Sequence, residues 1–312
     1  MITQSPTIFL TSATGSQGLN LARLLRSQSP PWSVHATVRS LTSPAAQELS
    51  SLGVSLALGS WDDLPALEQA LRGCTALFLN LIIDFTDFSH ELTQAKNILS
   101  LAKAAGVKQV VYSSAAALSS LEEHFDVEKD GSPLMVASLK SKQAIEKEIR
   151  NGGWDSWTIL RGANFMENLL DPKVAMYPGL KETGVFKVAF KSQQKLPFVD
   201  TADIAKFALE AFKNPEGGLK GKEVNIVGDE ITPEELMRSL SKATGREMRF
   251  QELTDEEVQR EKERNPFITA GLAIRVMGKF MKKEETERWG LELTGCEEFV
   301  KRNEEAVRKT YL

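Results

Sequence analysis

The sequence predicts an α/β protein built on a Rossmann-type, doubly wound parallel sheet, and three observations carry that prediction. Short apolar runs of strand length alternate with helix-length segments from residue 7 to residue 112. Those runs are almost continuously apolar, as strands covered on both faces must be. The first of them, in TIFLTSATGSQG (residues 7–18), ends in a tight glycine turn that opens onto a helix, the order in which unpaired helix N–H groups meet a pyrophosphate.

Taken in order, residues 7–10 form the first strand and 17–27 the first helix. Ser29-Pro30-Pro31-Trp32 breaks the chain, and residues 34–38 follow as a second strand closed by Arg39. Residues 44–51 read as a short helix, 54–58 as a third strand, and 63–71 as a helix whose start is marked by Asp62 and Asp63. Gly73 ends it, 76–79 is the fourth strand, 88–105 a longer helix stopped by Gly106, and 107–112 the fifth strand. A helix over 136–150, backed by Gly152 and Gly153, leads to a sixth strand at 157–160.

Beyond that point the pattern loosens. A strand near 185–190, a helix at 201–213 and a strand at 223–227 precede Thr232-Pro233-Glu234-Glu235. That segment opens a helix with a Thr cap, Pro at the first position and Glu at the third. Residues 254–288, with Pro266 in their middle, read as a charged helical pair covering an apolar face, with a partner-binding helix as the other reading. The expected division is a nucleotide-binding domain at 1–160 and, at 161–312, a mixed region that covers a substrate cleft and returns some elements to the main sheet.

Bulk properties exclude several classes. Thirty-eight Lys and Arg against 42 Asp and Glu leave a net charge of −4, which gives no footprint for nucleic acid. Cys74 and Cys296 show no spacing pattern, so we expect a reduced intracellular chain without disulfides or a zinc site. His35, His90 and His124 have no metal-ligand spacing. With no run of 18 apolar residues and no signal-like start, neither membrane contact nor export is expected, and the cytoplasm is the expected compartment.

The glycine turn carries the first site residues. Gly15 lets phosphates approach the backbone, Gly18 lets the helix pack on the sheet, and Thr14, Ser16 and Gln17 complete the cofactor turn. Ser12 stands where the pattern GxxGxxG has its first glycine. Arg39, where a protein using the unphosphorylated cofactor would carry Asp or Glu, suits a 2′-phosphate, so NADP(H) is the expected cofactor. Asn80, with Leu81 and Ile82, leaves the fourth strand at the ligand-binding edge of the sheet. Phe85, Phe88, Phe186 and Phe198 either wall an apolar pocket for a planar substrate or fill cores.

Taken together, these stretches resemble the NmrA-like branch of the atypical short-chain dehydrogenase/reductase superfamily. The opening matches that family's GATGxQG. Val38-Arg39 resembles the family's strand ending at the adenosine ribose, Gly59-Ser60-Trp61-Asp62-Asp63 its GDxxD turn, and Val110-Val111-Tyr112-Ser113-Ser114 the end of its fifth strand. Ser141-Lys142, Ile145-Glu146 and residues 158–168 (TILRGANFMEN) match an SK...IE...TILRPxxFMEN block, and residues 197–205 (PFVDTADIA) a late PFIDxxDIA segment.

The resemblance implies that Asp62 holds the adenine amino edge, a helix cap being the other reading. It places Lys142 at the nicotinamide ribose or at the substrate, as a catalytic residue. It makes Ser114 a substrate-polarising hydroxyl, with Ser113 beside the cofactor, and puts Asn164 and Phe165 near the nicotinamide. The tyrosine of ordinary short-chain reductases, four residues before the lysine, is Ser138 here, and an aliphatic hydroxyl is a far weaker acid than a phenol. Tyr112 is an unplaced acid candidate, and His124 is expected in a loop, 115–135, over the nicotinamide end. Two activities follow from the resemblance. One is an NADPH-dependent reductase of a small or medium aromatic or conjugated carbonyl, quinone or enone. The other is a non-catalytic NADP(H) sensor that acts through a regulatory protein partner.

Overall fold

Strands β1 (Thr7–Leu10), β2 (Ser33–Val38), β3 (Ser55–Leu58), β4 (Ala76–Leu79), β5 (Gln109–Ala115), β6 (Ser156–Gly162) and β7 (Lys222–Ile226) form one seven-stranded sheet, in the order β7-β6-β5-β4-β1-β2-β3. In this computed structural model the described residues are 6–116, 123–126, 129, 131–262, 264–265 and 267–312. The pairs β1·β2, β1·β4, β2·β3 and β4·β5 are parallel, so each crossover needs a helix. Those are α1 (Ser16–Arg26), α2 (Pro44–Ser51), α3 (Leu64–Leu71) and α4 (His90–Ala104). The predicted doubly wound sheet is therefore the fold observed.

The chain divides into two compact units. The first is Met1–Ala115, Lys140–Arg161 and Ile204–Val224; the second is Ala116–Leu139, Gly162–Asp203 and Asn225–Leu312. In the first unit β4 is buried at every position, and Ile98, Leu99 and Ala102 of α4 pack with Ile145 and Ile149 of α5 (Pro133–Arg150) in one apolar core. Later chain is stitched to this sheet by buried polar groups. Gln109 Nε2 donates to the Ala211 carbonyl at 2.6 Å and Thr158 Oγ1 to that of Leu219 at 2.8 Å. Arg161, buried on β6, forks onto Glu146 through Nε at 2.9 Å and Nη2 at 2.6 Å, so neither charge is stranded.

The second unit has its own core, in which Phe186, Phe190 and Phe198 are fully buried. Phe186 and Phe198 thus fill core rather than wall a substrate pocket, whereas Phe85 and Phe88 are exposed in the first unit. Thr232 and Glu235 form the predicted capping box. Residues 254–288 depart from the expected helical pair and carry three short helices, Asp255–Glu261, Phe267–Met277 and Lys283–Glu287. The middle one is apolar, with Ile268, Ala273, Val276 and Met277 buried, which is why a reading based on charge did not resolve it. Pro266 lies outside the described residues. Among the described residues no helix is long and apolar enough to cross a membrane.

One partly buried acid in this unit has its carboxyl held well above the usual carboxylate range. Glu167 accepts hydrogen bonds from the Thr201 backbone N at 3.1 Å and from the Thr201 hydroxyl. Burial, reinforced by the neighbouring Asp200 carboxylate, pushes it up from its usual 4.5 to about 7. A carboxyl raised in the folded state binds its proton more tightly than the unfolded chain does. Its contribution to stability is therefore complete below about pH 4.5 and is lost as pH rises toward 7. That loss amounts to about 3 kcal/mol. We expect Glu167→Gln to flatten the stability profile between pH 5 and pH 8 by an amount of that order, measured by chemical denaturation.

Candidate functional site

The carboxyl ends of β1, β2, β4 and β5 bring the predicted nucleotide residues to one edge of the first unit's sheet. β2 and β4 flank β1 on opposite sides, which makes this the switch point at which open α/β sheets bind ligands. Thr11, just past β1, accepts at Oγ1 from the Asn80 backbone N at 2.7 Å and lies 2.8 Å from the Asn80 carbonyl. This buried threonine pins the ends of β1 and β4 together.

The turn after Thr11 explains its own sequence. Ser12 has a φ of 48° and is the one non-glycine residue with positive φ among the described residues. Serine here adopts the left-handed backbone that a glycine ordinarily supplies. Its carbonyl accepts the Gly15 N–H at 2.9 Å. A Cβ on Gly18 would lie 2.7 Å from the Ala13 Cα and closer still to the Ser12 carbonyl oxygen, so the helix can seat on the turn only without a side chain there. A Cβ on Gly15 would stand 3.2 Å from that oxygen and 4.0 Å from the Ser12 Cβ.

Thr14 and Gly15 are exposed at the tip of the turn. Gly15, the N-cap of α1, offers no side chain, and the first turn, which Ser16 opens, has no acidic residue. The positive end of α1 is thus left to an anion. Arg39 is exposed beyond β2 and pairs with no described acid. These features fit a pyrophosphate with one additional phosphate.

Gln17 is buried, and its Oε1 accepts from Ser113 Oγ at 2.6 Å, tying α1 to the end of β5. Ser114, the next residue, is 5% exposed, and its hydroxyl is buried next to the Tyr112 phenol; the Ser12 hydroxyl is buried with no hydrogen bond among the described residues. Burial, reinforced by Glu91 and Glu146, holds the Tyr112 phenol well above its usual range, with Ser114 only partly offsetting it, so Tyr112 is a poor proton donor.

Lys142, on α5, is held on three sides. Its Nζ donates to Glu91 Oε1 at 2.5 Å and to the Leu81 carbonyl at 3.0 Å, and stands 5.8 Å from the centre of the Tyr112 ring. Glu91 is fully buried on α4 and also accepts from Ser141 Oγ at 2.7 Å. Sequence reasoning missed Glu91. A carboxylate one residue inside a helix start looks like an ordinary N-terminal acid, and only the fold reveals its partner. Ser138 stands one helical turn before Lys142, where the tyrosine is missing.

Asp62 is not a cap; Asp63 takes that role, accepting from the Ala66 N at 3.0 Å. Asp62 instead receives His90 Nε2 at 2.7 Å and Gln94 Nε2 at 3.0 Å, while His90 Nδ1 meets Asp84 at 2.8 Å. These partners hold the Asp62 carboxylate low against the opposing effect of its burial. The two carboxylates, Asp84 first, raise His90. Asp84 and His90 were not anticipated at this place. No group of three His, Cys, Asp or Glu side chains among the described residues is arranged to hold a metal ion.

Asn164 and Phe165 belong to the second unit, on a two-residue strand beside Phe198 and Val199. Asn164 lines a cavity of about 70 Å³ within that unit. His124 lies against the Phe280 ring at 5.4 Å. Much of the 115–135 loop expected over the nicotinamide, including 117–122, 127–128 and 130, lies outside the described residues.

Comparison with known proteins follows the same lines. Residues 4–300 match the NmrA-like family. Quinone oxidoreductase 2 of Escherichia coli K12 is 30% identical over 250 residues, 80% of this chain and 78% of that one. Two solved structures are similar throughout. The Escherichia coli NADPH-dependent quinone oxidoreductase QOR2, complexed with NADPH, has a TM-score of 0.72 at 25% identity, covering 95% of this chain and 99% of that one. The negative transcriptional regulator NmrA in complex with NAD has a TM-score of 0.74 at 19% identity, covering 99% and 96%.

The turn geometry separates its two glycines. Alanine at a helical glycine ordinarily stabilises by up to about 1 kcal/mol, but at Gly18 the methyl group meets backbone. We expect Gly18→Ala to lower unfolding free energy by about 2 kcal/mol and Gly15→Ala to change it by less than about 1 kcal/mol, both read from denaturant midpoints.

Proposed function

The chain belongs to the NmrA-like family, and we propose that it is an NADPH-dependent reductase of a quinone, enone or other conjugated carbonyl compound. The observation that carries this reading is the Glu91–Lys142 pair, buried at the carboxyl edge of the sheet beside the uncapped glycine turn. Two ions taken out of water are costly to keep, and their position at the ligand edge gives them a use. Of three N–H groups on Lys142, two are committed to Glu91 and Leu81. The third is oriented by the other two and is available to a ribose or substrate oxygen.

Bound NADPH supplies the hydride. Gly15, Thr14 and the start of α1 receive its pyrophosphate, Arg39 its 2′-phosphate, and Asp62 and Asn80 its adenosine and central portions. Ser114 offers a hydroxyl at the same edge, while Gln17 and Ser113 hold the turn to β5.

The absence of a phenol one turn before Lys142 favours conjugated substrates over simple ketones. A reduced quinone or enone leaves as a phenolate or enolate, a weak base that water protonates. The alkoxide from a simple ketone is a strong base and needs a positioned acid. The 30% identity to a quinone oxidoreductase supports the same choice. A dinucleotide sensor is the second reading, favoured by the same Ser138. NADPH binding without NADPH oxidation on any quinone, enone or aldehyde would establish that reading instead.

Two variants test the assignments. Arg39→Glu should reduce the preference for NADPH over NADH by at least about tenfold, since a charge-assisted pair is replaced by repulsion; calorimetric titration of both cofactors measures it. Lys142→Ala should lower quinone turnover and NADPH affinity together, and should also cost about 3 kcal/mol of stability by stranding Glu91. The double variant Glu91→Gln/Lys142→Met removes both charges. It should recover most of that stability and none of the turnover, whereas recovered turnover would show that the pair serves only the fold.

A further inference from the structure

His90, the first residue of α4, stands between carboxylates from two different loops. Its Nε2 lies 2.7 Å from Asp62 Oδ1, past the end of β3, and its Nδ1 2.8 Å from Asp84 Oδ2, past the end of β4. Carboxylates only accept, and a neutral imidazole has a single N–H to give. Both contacts are therefore satisfied at once by the imidazolium alone. Asp84 is fixed for this task by the Thr86 backbone N at 2.8 Å and the Thr86 hydroxyl at 2.6 Å. Gln94 Nε2 lies 3.2 Å from His90 Nε2, but its hydrogens face the two Asp62 oxygens at 3.0 and 3.1 Å. Asp87 accepts from Ser89 and adds a favourable charge, while Glu91 is turned to Lys142 and Ser141. A cation at the first position of a helix is opposed by the macrodipole, so these acids are what keep the proton on His90.

We propose that the His90 imidazolium is a positioning residue for the dinucleotide, holding the Asp62 carboxylate toward the adenine amino group, so that cofactor affinity falls as the imidazole loses its proton. Asp62 Oδ2 accepts only from Gln94 among the described residues, which leaves it capacity for a further donor. Deprotonation undoes the arrangement in a defined way. Nδ1 keeps its proton for Asp84, whereas the bare Nε2 repels Asp62 Oδ1 and draws the Gln94 hydrogen onto itself. Asp62 loses both donors together. Charge acts in the same direction: with the imidazolium present, a positive charge stands between Asp62 and Asp84, and without it two bare carboxylates face a cofactor that is itself an anion. His90 is raised from its usual 6.5, chiefly by Asp84 and then by Asp62. The link is thus complete below pH 6.5 and is lost as pH rises through the higher value of the folded chain. The role given to Asp62 rests on the site assignment made above; the bridged imidazolium does not.

Two readouts on the full chain test this. NMR of the imidazole, assigned by its loss in His90→Gln, should show both ring nitrogens protonated at neutral pH. NADPH should raise the titration midpoint further, since linkage between proton and cofactor is reciprocal. Calorimetric titration at constant low salt should show the NADPH dissociation constant rising about fivefold between pH 6 and pH 9 in the parent, a rise that His90→Gln does not share. Ionisation of the cofactor's own 2′-phosphate is common to both proteins and cancels in that comparison. Asp84→Asn should move the imidazole midpoint and the fall in affinity together to lower pH, whereas a role confined to the fold would move the midpoint alone. A single protonated ring nitrogen at neutral pH, the same affinity profile in parent and His90→Gln, or a profile that Asp84→Asn leaves in place would overturn the proposal. No NADPH binding at any pH would overturn it together with the cofactor site. NADPH oxidation is scored separately. Its absence with every quinone, alongside the expected affinity profile, refutes the reductase and supports the His90 assignment. Turnover with NADPH affinity independent of His90 does the reverse.

Discussion

The seating of α1 against the turn after β1 is the constraint on which the first unit depends. Ser12 turns the backbone into the left-handed region, its carbonyl takes the Gly15 N–H, and Gly18 gives way where any side chain would meet Ser12 and Ala13. With that contact made, the axis of α1 is set and its positive end faces the sheet edge. Gln17 then reaches Ser113, and Thr11 joins β4 through Asn80. A single backbone approach thereby aligns the ends of three strands. Replacing the usual first glycine by serine leaves this geometry intact, because the conformation is what the turn requires and serine can be held in it by its surroundings.

Charge at the same edge is arranged by burial. Glu91 is fully buried, and among the described residues Lys142 and Ser141 satisfy its carboxylate, so the lysine cannot swing away without costing that carboxylate its counter-charge. The contrast with Arg161 and Glu146 is instructive. That pair is also buried, but the guanidinium forks onto both carboxylate oxygens and additionally meets Glu223, leaving little for a ligand to add. Lys142 keeps a donor in reserve, and position decides the difference: β6 carries Arg161 against neighbouring elements of the sheet, whereas Lys142 lies next to Leu81 beyond the end of β4.

Much of this architecture was legible in the sequence because local signals agreed with the fold. Strands at 76–79 and helices at 44–51 and 201–213 fell where the apolar runs, Pro44 and the amphipathic period put them, and the Thr232 capping box closed as its spacing requires. What escaped was contact between distant residues. Glu91 and His90 carry no sequence mark of their partners, 51 and 28 positions away. Asp62 and Asp63 are both good caps by composition, and backbone direction alone selects Asp63. Phe186 and Phe198 stay undecided between pocket and core in the sequence because an apolar residue in a strand reads the same whether its neighbours are core or ligand. The middle helix of 254–288 was hidden by the charged residues on either side of it.

Unsatisfied polar groups separate ligand-facing positions from structural ones only when joined to place. Trp154 Nε1 and Ser156 Oγ are buried without hydrogen bonds at the start of β6, the end of a parallel strand that open α/β sheets do not use for ligands. Ser12 shares that chemistry but sits past the carboxyl end of β1, and Ser114 lies at the carboxyl end of β5, at the edge where such folds bind. An unmet hydrogen bond at the closed end of a strand is a cost absorbed by packing. The same unmet bond at an open sheet edge is a cost that a ligand can remove, and so contributes to that ligand's affinity.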